Sequence, residues 1–236
     1  MAETFEPSTA HSINPYDAKQ PLLFIKDDQR ASHIRRLTIF TEAASGELRS
    51  ELIDFLARLH ALEMFVIHWR ALDWLQLGEA GLQAFVRLFS LPSLMELQVL
   101  ASVNFPLCLL QYFMGRKLCI SATTTVTSVM PLLPADIQAR KCGALRDMMV
   151  GGARNIQEIR TFIEWQTDRA QVCLRFINCL RCNISWRDSG AKPQEVMRVL
   201  GSFLLKIGSI VDCLEEFHFL DWQNSMFITL GPSPET

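Results

Sequence analysis

The stretch LFSLPSLMELQVLASVNFPLCLLQYF, residues 88 to 113, carries a spacing that neither a plain helix nor a plain strand accommodates. Leu88, Leu91, Leu94, Leu97 and Val99 follow one another at intervals of three, three, three and then two. A helix turns about 100° per residue, so each step of three carries the apolar direction back by about 60°, and Leu97 would point away from Leu88. No single helical face can bury that set. The closing step of two is the strand period, which predicts a helix ending near Leu91-Pro92, a turn, and a short strand burying Leu97 and Val99.

The pattern recurs. LARLHALEMFVI sets Leu56, Leu59, Leu62, Phe65 and Ile67 at the same intervals, position for position. IRRLTI offers Ile34, Leu37 and Ile39, GRKLCI offers Leu118 and Ile120, and VDCLEEFHF offers Val211, Leu214, Phe217 and Phe219. Strand slots are therefore expected to begin at Leu37, Phe65, Leu97, Leu118 and Phe217. Amphipathic helices are expected between them. One follows Gly46 and buries Leu48, Leu52, Phe55, Leu56 and Leu59; another runs from Trp74 to Phe89 with Leu75, Leu82, Phe85, Val86 and Phe89. Asn104-Phe105-Pro106 reads as a turn before a short helix in LCLLQYF, and Pro193 suits the first turn of a helix through EVMRVLGSFLLKIG.

Between Ile120 and the last slot the pattern weakens. Residues 121 to 134, rich in Ser and Thr, read as an extended connector. From Asp136 to about Val150 a helix is expected, stopped by Gly151-Gly152, and Ile156, Ile159 and Phe162 then recur at three. Leu174, Ile177 and Leu180 keep the interval but slip by one before Ile184, which marks a degenerate unit. Units of roughly twenty to forty residues that bury a core only through their neighbours suit a stacked strand-helix array.

At 236 residues, 49% apolar and 20% charged, the chain can bury a continuous core. The expected organisation is a loose leader over residues 1–30, with Pro7, Pro15 and Pro21, one repeat-like domain over 31–222 with an irregular middle at 121–192, and a tail at 223–236. A net charge of -2 without a like-charge run favours neither nucleic acid nor an anionic membrane. Residues 97 to 115 carry no charge, but Gln98, Asn104, Pro106 and Gln111 interrupt them, so no membrane span is expected. The 7 cysteines lack a disulfide framework and the polar start lacks a signal peptide, which implies reduced thiols in the cytoplasm or nucleus.

L-x-x-L-x-L units separated by helices resemble leucine-rich repeats, and IRRLTI, LQAFVRLFSLPSLMELQV and NFPLCLL resemble the repeat regions of F-box-type proteins from mushroom-forming fungi. The resemblance covers about residues 31 to 222. It implies an α/β fold, an irregular leucine-rich-repeat-like solenoid of short parallel strands alternating with helices. It also implies a non-enzymatic scaffold that binds a protein partner, with substrate recognition for an F-box ubiquitin-ligase complex as its role. Two departures stand out: the Asn that closes such units is missing after Ile39, Ile67 and Phe219 and displaced to Asn104 after Val99, and no F-box helix set precedes the repeats.

Strand alternation then assigns faces. Leu37, Ile39, Phe65, Ile67, Leu97, Val99, Leu118, Ile120, Phe217 and Phe219 are expected to point inward. On the open face, Met64, Val66, His68, Glu96, Gln98 and Leu100 form the candidate binding patch, with apolar Phe40 and Leu220 elsewhere on it. Catalytic chemistry is thin. Cys179-x-x-Cys182, with Cys173 nearby, has ligand-pair spacing but no second pair, so small core cysteines are expected and neither metal nor cofactor. His68 and His218 share a strand position in different units, Gly151-Gly152 lacks a phosphate-loop sequence, and the five tryptophans are expected at the core's edge, with Trp69 or Trp222 the candidates for ligand stacking. The alternative is a compact α/β enzyme with an unrecognised active site.

Overall fold

The apolar pairs set two apart become strands, and the sequence between them becomes helix. A computed structural model describes residues 10–13, 28–41, 50–127, 145–153, 177–184, 192–210, 214–221 and 226–230. Within these, β1 (Ala10–Ile13), β2 (Arg36–Thr41), β3 (Met64–Asp73), β4 (Glu96–Pro106), β5 (Lys117–Thr127), β6 (Asp147–Ala153), β7 (Cys179–Ile184), β8 (Glu216–Asp221) and β9 (Met226–Leu230) form one sheet in sequence order. β1 through β8 pair parallel, and β9 joins β8 antiparallel. Parallel neighbours need a crossover, and α1 (Asp28–His33), α2 (Ser50–Arg58), α3 (Glu79–Phe89), α4 (Pro193–Ile210) and a 3-10 segment at Leu107–Tyr112 lie in those connections. The protein is of mixed α/β class.

Register shows what the spacing accomplishes. Leu37, Phe65, Leu97, Leu118, Met148, Leu180 and Phe217 are successive Cα partners across seven strands, and so are Ile39, Ile67, Val99, Ile120, Val150, Cys182 and Phe219. Three residues before the first row, Ile34, Leu62, Leu94, Leu145 and Ile177 are also buried. Leu52, Phe55 and Leu56 of α2 and Leu82, Phe85, Val86 and Phe89 of α3 join these strand residues in a single apolar cluster. Each such side chain contributes about 1.5–3 kcal/mol on burial, so the sheet's inner face and the helices depend on each other.

The repeat also organises the backbone just before each strand. The carbonyl of Arg35 accepts from the N–H groups of both Glu63 and Met64; Glu63, Met95, Arg116, Arg146 and Asn178 do the same toward the next unit, the last accepting from Glu215 and Glu216. Six carbonyls in a row thus use two lone pairs each, satisfying backbone groups that the turn into the strand would otherwise leave open. Gly115 shows how tight this turn becomes. It holds the position of Leu62 and Leu94, and a Cβ there would lie 2.6 Å from the Leu94 carbonyl oxygen and closer still to the nearest Phe113 ring carbon. Phe113 fills the space that a side chain at residue 115 would take.

Several expectations need correction. The helix expected up to Val150 gives way to β6 from Asp147, because Leu145, Met148 and Val150 continue the three-then-two interval and Met148 and Val150 pair with β5. The degenerate unit is regular once Cys182 is placed in register with Val150 and Phe219, with no slip toward Ile184. Residues of the expected leader and tail join the sheet as β1 and β9, segments too short to show a period. Asn104-Phe105-Pro106 remains within β4 as an irregularity, with Asn104 at a φ of 55° that asparagine tolerates better than most residues. Leu75 is exposed, since Trp74–Gln76 is a separate 3-10 turn capped by Asp73 rather than the start of α3. Trp69 and Trp74 are fully buried, which removes Trp69 as a stacking platform. Trp74 packs at 4.7 Å against Phe85 and edge-on at 5.0 Å to Phe105. Trp165, Trp186, Trp222, Cys173 and the Ile156 to Phe162 run lie outside the described residues.

Candidate functional site

Opposite the apolar cluster, the alternate strand positions form rows of their own. The first row runs Arg36, Met64, Glu96, Lys117, Asp147, Cys179 and Glu216; the second runs Thr38, Val66, Gln98, Cys119, Met149, Arg181 and His218. Adjacent strands lie about 4.8 Å apart, so neighbours in a row are in reach of one another. Their chemistry differs sharply from one end of the sheet to the other.

At the β2–β4 end, Met64 faces Glu96 and Val66 faces Gln98 across the β3–β4 pairing, which brings four of the six expected patch residues together. Gln98 Nε2 donates to Glu96 Oε1 at 2.6 Å, tying the polar border in place. His68 and Leu100 are not partners. A register shift after Ile67 pairs His68 with Ala101 and leaves Leu100 as the extra residue. Val66 retains only 7% exposure, so it belongs nearly to the core rather than to the surface. Phe40, pairing with His68, is the exposed apolar residue at this end: it is 45% exposed and stacks on the His68 ring at 4.8 Å.

At the β6–β8 end the face is titratable. Arg181 Nη1 donates to both Asp147 oxygens, at 3.3 and 3.2 Å, and His218 Nε2 lies 3.1 Å from Glu216 Oε2. Hydrogen bonds from His218 and from the Cys179 thiol hold the Glu216 carboxyl below the usual carboxylate range. Burial, helped by Asp147 and Glu216 and opposed by Arg181, pushes the Cys179 thiol up to about 11. Cys179, Glu216 and His218 place one ligand atom each within 4.8 Å of the others. The sequence separates these residues and pairs Cys179 with Cys182 instead, yet a strand brings together residues two apart, not three. Their proximity is legible only through register: Cys179 is the Cα partner of Glu216, and His218 is two residues further along β8.

Asn104, the one asparagine near a unit-closing place in the first units, donates from Nδ2 to Asp73 Oδ1 at 3.1 Å and so ties the end of β3 to β4. No helix among the described residues is long and apolar enough to cross a membrane. Family models, curated proteins and solved structures offer no match to this chain.

Proposed function

We propose that the chain is a non-enzymatic protein-interaction scaffold, an irregular leucine-rich-repeat-like solenoid that binds another protein through the open face of β2–β4. The observation that carries this reading is the half-exposed strip of Phe40, Met64, His68, Glu96, Gln98 and Leu100. It is apolar at its centre, has a polar border, and stands on strands anchored by a continuous core. An exposed phenyl ring held by a stacked imidazole is a contact surface that loses little side-chain entropy on binding. Strand order supports the scaffold over the compact enzyme. Open α/β enzymes bind their ligands where the strand order reverses, and the described order runs without reversal.

On this reading the partner is a protein presented to an F-box ubiquitin-ligase complex. The Cys119 and Cys179 thiols form no disulfide among the described residues, which suits the reducing cytoplasm or nucleus. The test is affinity capture with the full chain as bait, followed by mass spectrometry. Phe40→Ala with Met64→Lys and Leu100→Lys is expected to abolish capture of the major partner while the melting temperature changes little. Undiminished capture by the folded triple variant would move the binding surface away from this face. Small-angle scattering supplies a second check, since a solenoid gives an elongated profile and a compact enzyme does not.

A further inference from the structure

We propose that Cys179, Glu216 and His218 form a binding site for a zinc-class divalent cation on the open face at β7–β8. The three side chains come from neighbouring strands in fixed register, and their ligand atoms lie within 4.8 Å of one another. A tetrahedral zinc holds its ligands at about 2.0–2.3 Å, which sets neighbouring ligand atoms about 3.5 Å apart. The His218 and Glu216 atoms, now 3.1 Å apart, need only open slightly to admit the ion between them. Thiolate with imidazole and carboxylate is a donor set that selects zinc or cobalt over magnesium or calcium, which take oxygen alone.

The charge balance agrees. Thiolate and Glu216 together carry two negative charges against a dication, while Arg181 and Asp147, the other charged groups acting on Cys179 among the described residues, pair with each other through two hydrogen bonds. On binding, the Cys179 S–H bond breaks, sulfur keeps the electron pair and bonds the metal, and the proton passes to the buffer. With three protein ligands the fourth position is left for water on the solvent side, since Glu216 is 53% exposed in its side chain. The site is independent of the binding strip at β2–β4, and its failure would leave that strip untouched.

The test uses the full reduced chain and zinc or cobalt alone. After dialysis against metal-free buffer with zinc restored, elemental analysis is expected to find about one bound zinc per chain. Cobalt is expected to give a thiolate-to-metal charge-transfer absorption that disappears in Cys179→Ser and persists in Cys119→Ser. His218→Asn is expected to weaken zinc by more than about a hundredfold, because even outer-shell partners of metal ligands are worth about 10–100-fold. Circular dichroism confirms that each variant is folded. Should Cys179→Ser not fold, Glu216→Gln at an exposed position decides instead, with a loss of zinc affinity supporting the site and unchanged affinity overturning it. Wild-type chain without stoichiometric zinc, or a cobalt band that survives Cys179→Ser, overturns the proposal.

Discussion

The two ends of the open face share one backbone and little else. At β2–β4 the outward rows carry Phe40, Met64 and Val66 beside Glu96 and Gln98, whereas at β6–β8 the same rows carry Asp147, Arg181, Cys179, Glu216 and His218. The inward row from Leu37 through Phe65, Leu97, Leu118, Met148 and Leu180 to Phe217 shows no such contrast and is apolar throughout. A stacked sheet therefore separates its tasks by parity. Inward positions must fill one core and admit few residue types, while outward positions touch solvent and can be apolar at one end and titratable at the other.

If both ends hang on the same core, the largest effects come from breaking either one. Leu97→Asp and Leu180→Asp each put an unpaired carboxylate at a fully buried site, which costs more than a domain's marginal stability supplies. Both variants are expected to lack a cooperative thermal transition by circular dichroism. A Leu180→Asp chain that keeps a cooperative melt involving α2 and α3 would divide the sheet into two folding units and break the comparison at β5. Nearest-neighbour coupling along the strands predicts otherwise.

How much of this was legible followed residue type. Slots filled by Leu, Ile, Val or Phe at three and then two were readable from Leu37 to Leu118 and again at Phe217, and register confirms each as a strand. Leu145, Met148 and Met149 are good helix formers, so local propensity masked a strand that tertiary pairing imposes. A cysteine at 182, where the other units carry Ile, Val or Phe, made the next unit look shifted, although cysteine is common among small apolar residues and its backbone is in register with Val150 and Phe219. Parity places Met64, Val66, Glu96 and Gln98 as strand partners in two rows, as the pairing has them, but a bulge after Val99 cannot be read from alternation. The Cys179, Glu216 and His218 cluster was out of reach for a different reason. It joins residues from two strands, and their register depends on the unit that was misread.

A middle-sized effect probes the passage between the two ends. Cys119, in the row between Gln98 and Met149, has its thiol pushed up to about 11 by burial, then by Glu96 and Asp147. Its thiolate fraction at pH 8 is then about one in a thousand, so iodoacetamide should modify it slowly, the rate rising about tenfold per pH unit up to about 11. A raised folded-state value means that the neutral thiol favours folding fully below the ordinary thiol range and that this contribution is lost as pH rises from about 9 through 11. Cys119→Ser should flatten that part of the stability profile relative to the parent chain. Fast labelling of Cys119 at neutral pH, followed by peptide mapping, would place it outside the sheltered middle of the face.

The smallest effect sharpens the comparison at the edge, where side chains flank the doubly bonded carbonyls. Arg35 pairs with Glu63 at one end, and at the other Arg146 Nη1 donates to Asn178 Oδ1 at 3.2 Å while Asn178 Nδ2 donates to Glu215 Oε1 at 3.0 Å. Both ends place hydrogen-bonding side chains on the same backbone row, but Arg35 and Glu63 are about half exposed, and exposed ion pairs contribute about 0–1 kcal/mol. A double-mutant cycle on Arg35→Ala and Glu63→Ala should give a coupling of a few tenths of a kcal/mol that shrinks further in 1 M salt. The same cycle on Asn178→Ala and Glu215→Ala should be less sensitive to salt, because one partner is neutral. The backbone carbonyls survive all four substitutions, so every variant should melt cooperatively. A coupling of several kcal/mol at Arg35 and Glu63 would mean that this edge row, rather than the inward core alone, holds the units in register.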